Sequence, residues 1–272
     1  MRTTVITPPT RFPLPHWREL WEAREVAMRF GQRDVVLRYR QTAIGVAWVL
    51  IQPLAAAGVF SIIFGSVAQL PTGGVPYFLF SFISLLGWTL FSSIVGRASP
   101  SLVGNQALVS KVFFPRMLVP ISTVMSCLLD FTVGLGLGVV LLIVYGVNPG
   151  WAVLLLPVWV LLFVLFGLGI GLACSAWMVK YRDIAYVLPW LIQVALFATP
   201  VAYSLDAVPA NLLWLFNANP LTWLIESFRF SLLGTPAPPP WQIIGGVVVS
   251  IVAFLLGAIV FQRNERSFAD LI

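Results

Sequence analysis

Few side chains in this sequence are of the kinds that make or break bonds, and their spacing works against catalysis. The single histidine, His16, lies in an arginine-rich amino-terminal stretch. Elsewhere no cluster of His, Cys, Asp or Glu has metal-ligand spacing. Acid–base chemistry needs paired carboxylates converging on one reacting atom, and no such pair recurs on one helix face. Gly134-Leu-Gly-Leu-Gly138 and Gly167-Leu-Gly-Ile-Gly171 carry the glycines of a phosphate loop without its Lys-Ser/Thr, and both lie inside apolar runs. Their Gly-xxx-Gly pairs suit close packing of helices.

Asp130 is the exception that asks for an explanation. It interrupts an otherwise apolar run over residues 117–180, where inserting a carboxylate costs about 2.5–3.5 kcal/mol. It is expected to face protein or water. Ser122, Ser126, Thr132 or a hydroxyl of another span would satisfy it structurally, and a coupling role in transport weighs about equally. Aromatic residues make up 14% of the chain and recur where apolar helices are expected: Trp48, Phe60 and Phe64 in one, Trp190, Phe197 and Tyr203 in another. Sugar rings stack on aromatic faces through C–H surfaces, so these six are candidates to line a conduit for a glycan. Lipid contact and interfacial belts are the competing explanation for each of them.

The elements that must carry these residues follow from composition. Of 272 residues, 59% are hydrophobic and 10% are charged, against about a quarter charged in soluble domains, so the solvent for most of the chain is lipid. The expected fold is an all-α integral membrane protein. Residues 41–96 hold no charge and are broken by Gln69-Leu-Pro-Thr-Gly-Gly-Val-Pro76, which places spans near 45–68 and 77–96. Residues 97–116 read as an aqueous loop, with or without a short helix. Two long spans follow, near 117–145 and 151–179, with tilt or projection beyond the headgroups expected. A fifth occupies 184–205 and a sixth 241–262. Residues 206–240 hold too many polar and breaking residues to span, and two short re-entrant helices either side of Asn219-Pro220 fit better.

Charge placement sets the orientation. With six spans, one side receives eight arginines in residues 1–40, three basic residues in 97–116, Lys180 and Arg182, and Arg263 and Arg266, leaving Arg229 alone on the other. The positive-inside rule then puts both termini in the cytoplasm. The organisation expected is a cytoplasmic amino-terminal segment (1–44), a six-span domain (45–262) and a cytoplasmic tail (263–272). Residues 17–29 mix Trp17, Leu20, Trp21 and Met28 with arginines and glutamates. They suit an amphipathic helix in the interface, with a plain basic anchor as the alternative. No apolar stretch follows the basic start, so a cleaved signal peptide is not expected. Cys127 and Cys174 lie in apolar runs and read as buried small side chains.

An ordered set of local strings resembles one family. Arg33-Asp34-x-x-x-Arg38-Tyr39-Arg40-Gln41, Gly45-x-x-Trp48 and Gln52-Pro53 come first. Lys111-Val-Phe-Phe-Pro115-Arg116, Tyr181-Arg182-Asp183-Ile184, Thr199-Pro200-Val201, and Asn219-Pro220-Leu221 with Arg229 follow. Together they resemble the permease subunits of ATP-driven polysaccharide exporters, of the O-antigen (Wzm-like) and wall teichoic acid types more than the capsule type. That resemblance implies a permease homodimer in the cytoplasmic membrane, bound to two copies of a separate ATPase that holds ATP and magnesium. This chain would bind no cofactor and no nucleic acid. The cargo implied is a polysaccharide on an undecaprenyl carrier, passing through a channel lined by the first and fifth spans.

By the same resemblance, Lys111, Phe113, Phe114, Pro115 and Arg116 sit beside the ATPase-contacting coupling helix. Arg38, Tyr39 and Arg40 sit where a lipid pyrophosphate is met, because guanidinium forks bind phosphate oxygens; headgroup anchoring accounts for them nearly as well. Tyr181, Arg182 and Asp183 either transmit motion or form a tight loop with a local Arg–Asp pair. Asn219, Pro220 and Arg229 belong to the outward re-entrant helices that close the channel. Two other classes stay open at this point: a membrane-embedded glycosyl- or acyltransferase acting on polyprenyl lipids, and an ion-coupled secondary transporter using Asp130.

Overall fold

A computed structural model describes residues 17–40, 45, 47–109, 114–265 and 268. Every regular element among them is helical. Five helices are long and apolar enough to cross a bilayer. The first is α3 (Ala47–Phe60), which continues as a π-helix over Ser61–Val67. Pro53 lies inside it and cannot donate to the ladder. The turn after it passes through Gly73 and Gly74, both at positive φ, a conformation open to glycine at little cost. The chain then enters α4 (Tyr77–Ala98).

Two short helices, α5 (Ser101–Gly104) and α6 (Gln106–Val109), lead to α7 (Leu118–Val144). A 3-10 turn (Gly150–Leu155) opens α8 (Leu156–Lys180), and the last long helix is α12 (Pro240–Asn264). Before α3 lie α1 (Trp17–Glu22) and α2 (Arg24–Tyr39).

Packing places α4 at the centre, against α3, α7, α8 and α11 (Pro220–Leu233). Over its most apolar stretch 78% of α4 is buried, against 6% for the first span, so α3 hangs on the outside. The most extensive contact joins α8 to α12, and its cause is glycine. A Cβ on Gly169 or Gly257 would overlap backbone atoms of the opposite helix outright. Gly167 and Gly171, on another face of α8, meet Ile94 and Ala98 of α4, while Gly134 of α7 faces Leu86. Both glycine strings therefore serve close helix packing, with the three glycines of the second shared between two neighbours.

Several sequence expectations change here. The fifth apolar run, expected over 184–205, is helical only over α9 (Ile184–Ala198). Fifteen residues rise about 22 Å, short of the roughly 30 Å of a hydrocarbon core. Arg97 is not in an aqueous loop: α4 runs on through it, and Ser99, Ser101 and Leu102 beyond it are buried. The interface segment is docked rather than simply laid on lipid. Gly31 of α2 is buried against Met125 of α7, Arg33 donates to Asn105 at 2.6 Å, and Phe30 meets Phe114 edge-on at 5.3 Å. Its Trp21 and Met28 remain exposed.

Between the fifth and last apolar helices, two helices flank Asn219-Pro220, as the turn formers there imply: α10 (Leu213–Asn217) and α11. Asn219 caps α11 by accepting from the amide of Leu221, and Pro220 fills the first turn, where its missing N–H costs nothing. Gly234 ends the helix in the left-handed conformation.

Candidate functional site

Two polar clusters are built into this apolar frame, one at each end of α4. Nearest its amino terminus lies Arg229 of α11, only 1% exposed. Burying a guanidinium is tolerable only when its donors find acceptors, and here each of its three nitrogens has at least one. Nε donates to Ser84 at 2.7 Å, Nη1 to Glu226 at 2.7 Å, and Nη2 to the carbonyls of Pro200, Val201 and Tyr203 at 2.6, 2.9 and 3.3 Å. The Phe80 ring lies 4.0 Å from the guanidinium carbon, a cation–π contact. One side chain thus ties α11 to α4 and to the turn that ends α9.

The same turn is held a second time. Asn219 donates to Thr199 Oγ1 at 2.9 Å and to the Ala198 carbonyl at 3.2 Å while its own oxygen caps α11. Thr199-Pro200-Val201 and Asn219-Pro220 with Arg229, separate strings in the sequence, are therefore one structure. Replacing Asn219 with Ala is expected to cost about 1–2 kcal/mol, the worth of a cap plus a bridging bond. Asn219→Asp, which keeps the cap acceptor, should lose less in a thermal melt in detergent.

At the other end of α4 stands Asp130. Its partners are not the serines and threonine favoured by sequence. Ser122 donates to the Val119 carbonyl, Ser126 to that of Thr123, and Thr132 to that of Leu128. Asp130 Oδ2 instead meets Arg97 and, at 3.0 Å, Arg38, while Oδ1 accepts from the Tyr39 hydroxyl. Arg97 also donates to Ser126 at 2.9 Å. Burial and the Asp130 hydrogen bond push the Tyr39 phenol up to about 12, so it stays a donor throughout the neutral range.

Asp130 stands near the middle of α7. Its partners come from the last turn of α4 and the last turn of α2, and α7, at 27 residues, is about 40 Å long. A cavity of about 240 Å³ adjoins it between α3, α4 and α7, lined among others by Arg38, Gln52, Ser93, Arg97 and Asp130.

The remaining candidates lie apart from both clusters. Trp48, Trp190 and Phe197 are 50%, 60% and 61% exposed on α3 and α9. Phe60 and Phe64 meet edge-on at 5.7 Å, and Tyr203 is half-buried against Phe216. Arg40 is exposed at the end of α2. Phe114, Pro115 and Arg116 are half-buried, and Arg116 donates to the Glu265 carbonyl at 2.8 Å, so its charge is held by the far end of α12 rather than presented freely. Lys111 and Phe113 lie outside the described residues. Tyr181, Arg182 and Asp183 are exposed; Lys180 sits 5.2 Å from the Tyr181 ring, and among the described residues no ion pair joins Arg182 to Asp183.

Sequence reading overlooked Arg97 and Ser84. A lone acid in an apolar run requires a cation, and Arg97 closes the neighbouring span, so that signal was present. Ser84 carried none.

Comparison with known proteins now adds to this geometry. Residues 28–233 match the family described as ABC-2 type transporter. The chain is 30% identical over 258 residues to the O-antigen export system permease protein RfbA of Myxococcus xanthus, covering 94% of this chain and 98% of that one. It is 28% identical to the protein of the same name in Klebsiella pneumoniae, covering 88% and 92%. To the polysialic acid transport protein KpsM of Escherichia coli it is 23% identical, covering 86% and 92%. With three quarters of its length matched and a full-length relative at that identity, the chain belongs to the ABC-2 type transporter membrane family.

Proposed function

We propose that this chain is the permease subunit of an ATP-driven exporter that moves a lipid-linked polysaccharide, of O-antigen or teichoic acid type, across the cytoplasmic membrane. The observation that carries the reading beyond family membership is the pair of uncovered aromatic faces. Trp48 on α3, and Trp190 and Phe197 on α9, stand exposed while α4 is enclosed. Single exposed aromatics on a lipid-facing surface are ordinary. Two helices on the outside of the bundle, both with exposed aromatic residues, suit a conduit completed by a second copy.

In this reading two permease copies pair through the α3 and α9 sides, and two ATPase subunits, holding ATP and magnesium, dock on the arginine-rich cytoplasmic end. The segment after α4, as far as Arg116, forms the coupling loop, and α10 and α11 are the outward re-entrant helices. Six crossings, with α9 and its following turn as the fifth, put both termini in the cytoplasm. The cargo is carried on undecaprenyl, and hydrolysis belongs to the partner. Asp130, held by two arginines, does not resemble the free acid that ion coupling needs. Deleting the gene in its native host should strip the polysaccharide from the cell surface and accumulate lipid-linked glycan inside. Unchanged surface glycan would count against export.

A further inference from the structure

We propose that Arg38 and Arg97 form a phosphate-binding site in which the Asp130 carboxylate is a built-in stand-in for the ligand, displaced when a phosphate or pyrophosphate group arrives. One carboxylate serves two guanidiniums, both through Oδ2, so the cluster carries an unneutralised positive charge. Ion pairs with one acid for one base need no further anion; this one, with two bases, is one acid short. Neither arginine is sealed in: the side chains of Arg38 and Arg97 are 39% and 22% exposed, that of Asp130 11%. The shared cavity of about 240 Å³ holds no other acid among its lining residues.

What surrounds the arginines suits a lipid phosphate. Gln52, Thr89 and Ser93 supply neutral donors, and Val49, Pro53 and Leu86 form an apolar wall. Two guanidinium forks are the arrangement that phosphate oxygens favour, each fork giving paired charge-assisted bonds. The non-bridging oxygens of a phosphate or pyrophosphate group outnumber the one oxygen that Asp130 now offers both arginines. The exchange would have a structural consequence, because Arg38 belongs to α2 and Arg97 to α4. Asp130, left with Tyr39 of α2, would still hold the interface helix to α7 but would release the central helix.

That the anion is the pyrophosphate of the carrier lipid rests on the export reading; the anion site itself rests on the cluster and its cavity. The test uses the full chain in phosphatidylcholine nanodiscs, titrated with farnesyl pyrophosphate and read by calorimetry. Saturable binding is expected. Arg97→Gln should weaken it by about tenfold or more, the worth of a charge-assisted pair of bonds, and Arg97→Lys, which keeps charge without the fork, should fall between. Asp130→Asn removes the competing charge yet can still accept from Tyr39, so it should tighten binding. Absence of saturable binding, or affinity unchanged in both Arg97→Gln and Asp130→Asn, would overturn the site. Adding phosphatidylglycerol separates the sources. If it displaces the pyrophosphate lipid at equal concentration, the occupant is an ordinary anionic headgroup; if it does not, the pyrophosphate carrier is. Both results support the site, and neither depends on whether export occurs.

Discussion

Arg229→Ala is expected to unfold the turn between α9 and α11 and the helix ends it joins. The substitution removes a side chain that is 1% exposed and leaves the carbonyls of Pro200, Val201 and Tyr203, together with Ser84 and Glu226, without their donor. Breaking a buried pair from one side costs about 3–5 kcal/mol, and here three carbonyls of one turn are orphaned as well. A melting temperature lower by roughly 10 °C follows from about 2–4 °C per kcal/mol for a chain of this size. Arg229→Lys keeps the charge but reaches only some of these acceptors, so it should fall between wild type and Ala. An Arg229→Ala protein that melts with the wild type would mean that the turn after α9 is held by something else.

The second large effect is at the α8–α12 crossing. Gly257→Val should prevent stable folding, because even a Cβ at this position would overlap the Gly169 carbonyl across the interface. Overpacking in a close-packed interior costs about 1–3 kcal/mol where side chains can move aside. Here the obstacle is backbone, and relief requires that two long helices separate along their most extensive contact. Gly104→Ala and Gly136→Ala are the controls: a Cβ at either position meets nothing within 4 Å. They should express and melt as the wild type does. Equal yields of detergent-solubilised Gly257→Val and Gly136→Ala protein would contradict this packing.

These two sites show what was legible in the sequence and what was not. Long charge-free runs located the spans because lipid imposes a one-dimensional rule: about twenty apolar residues per crossing. The α4, α7, α8 and α12 segments fall within a few residues of where that rule puts them. The rule failed for residues 199–205, which are apolar enough to extend α9 but are turned by Thr199-Pro200 and captured by Arg229. Nothing local announces that capture, since Arg229 recruits backbone carbonyls whose identity does not depend on side chains. The glycine strings announced close packing, yet which helix each glycine faces depends on tertiary arrangement.

Asp130 marks the same boundary from the other direction. Its cost in an apolar run made it conspicuous, but its partners stand 33 and 91 residues away in Arg97 and Tyr39. Hydroxyls two, four and eight residues off looked closer in sequence, and each turned out to bond to its own helix carbonyl. A hydroxyl with an i−3 or i−4 carbonyl within reach is already satisfied, whereas a carboxylate needs charge. That asymmetry, applied to the sequence, favours an arginine over any serine. Arg116, placed by resemblance beside the coupling helix, donates to the Glu265 carbonyl 149 residues away, a contact that nothing in its neighbourhood announces.

The division of labour between this permease and a separate ATPase is tested most directly by transport in vesicles. With the chain and its ATPase partner reconstituted together, a lipid-linked glycan supplied on the ATPase side should cross to the other leaflet when ATP and magnesium are added, and not when either subunit is omitted. Crossing that needs no ATP, or that follows an imposed ion gradient, would contradict the account.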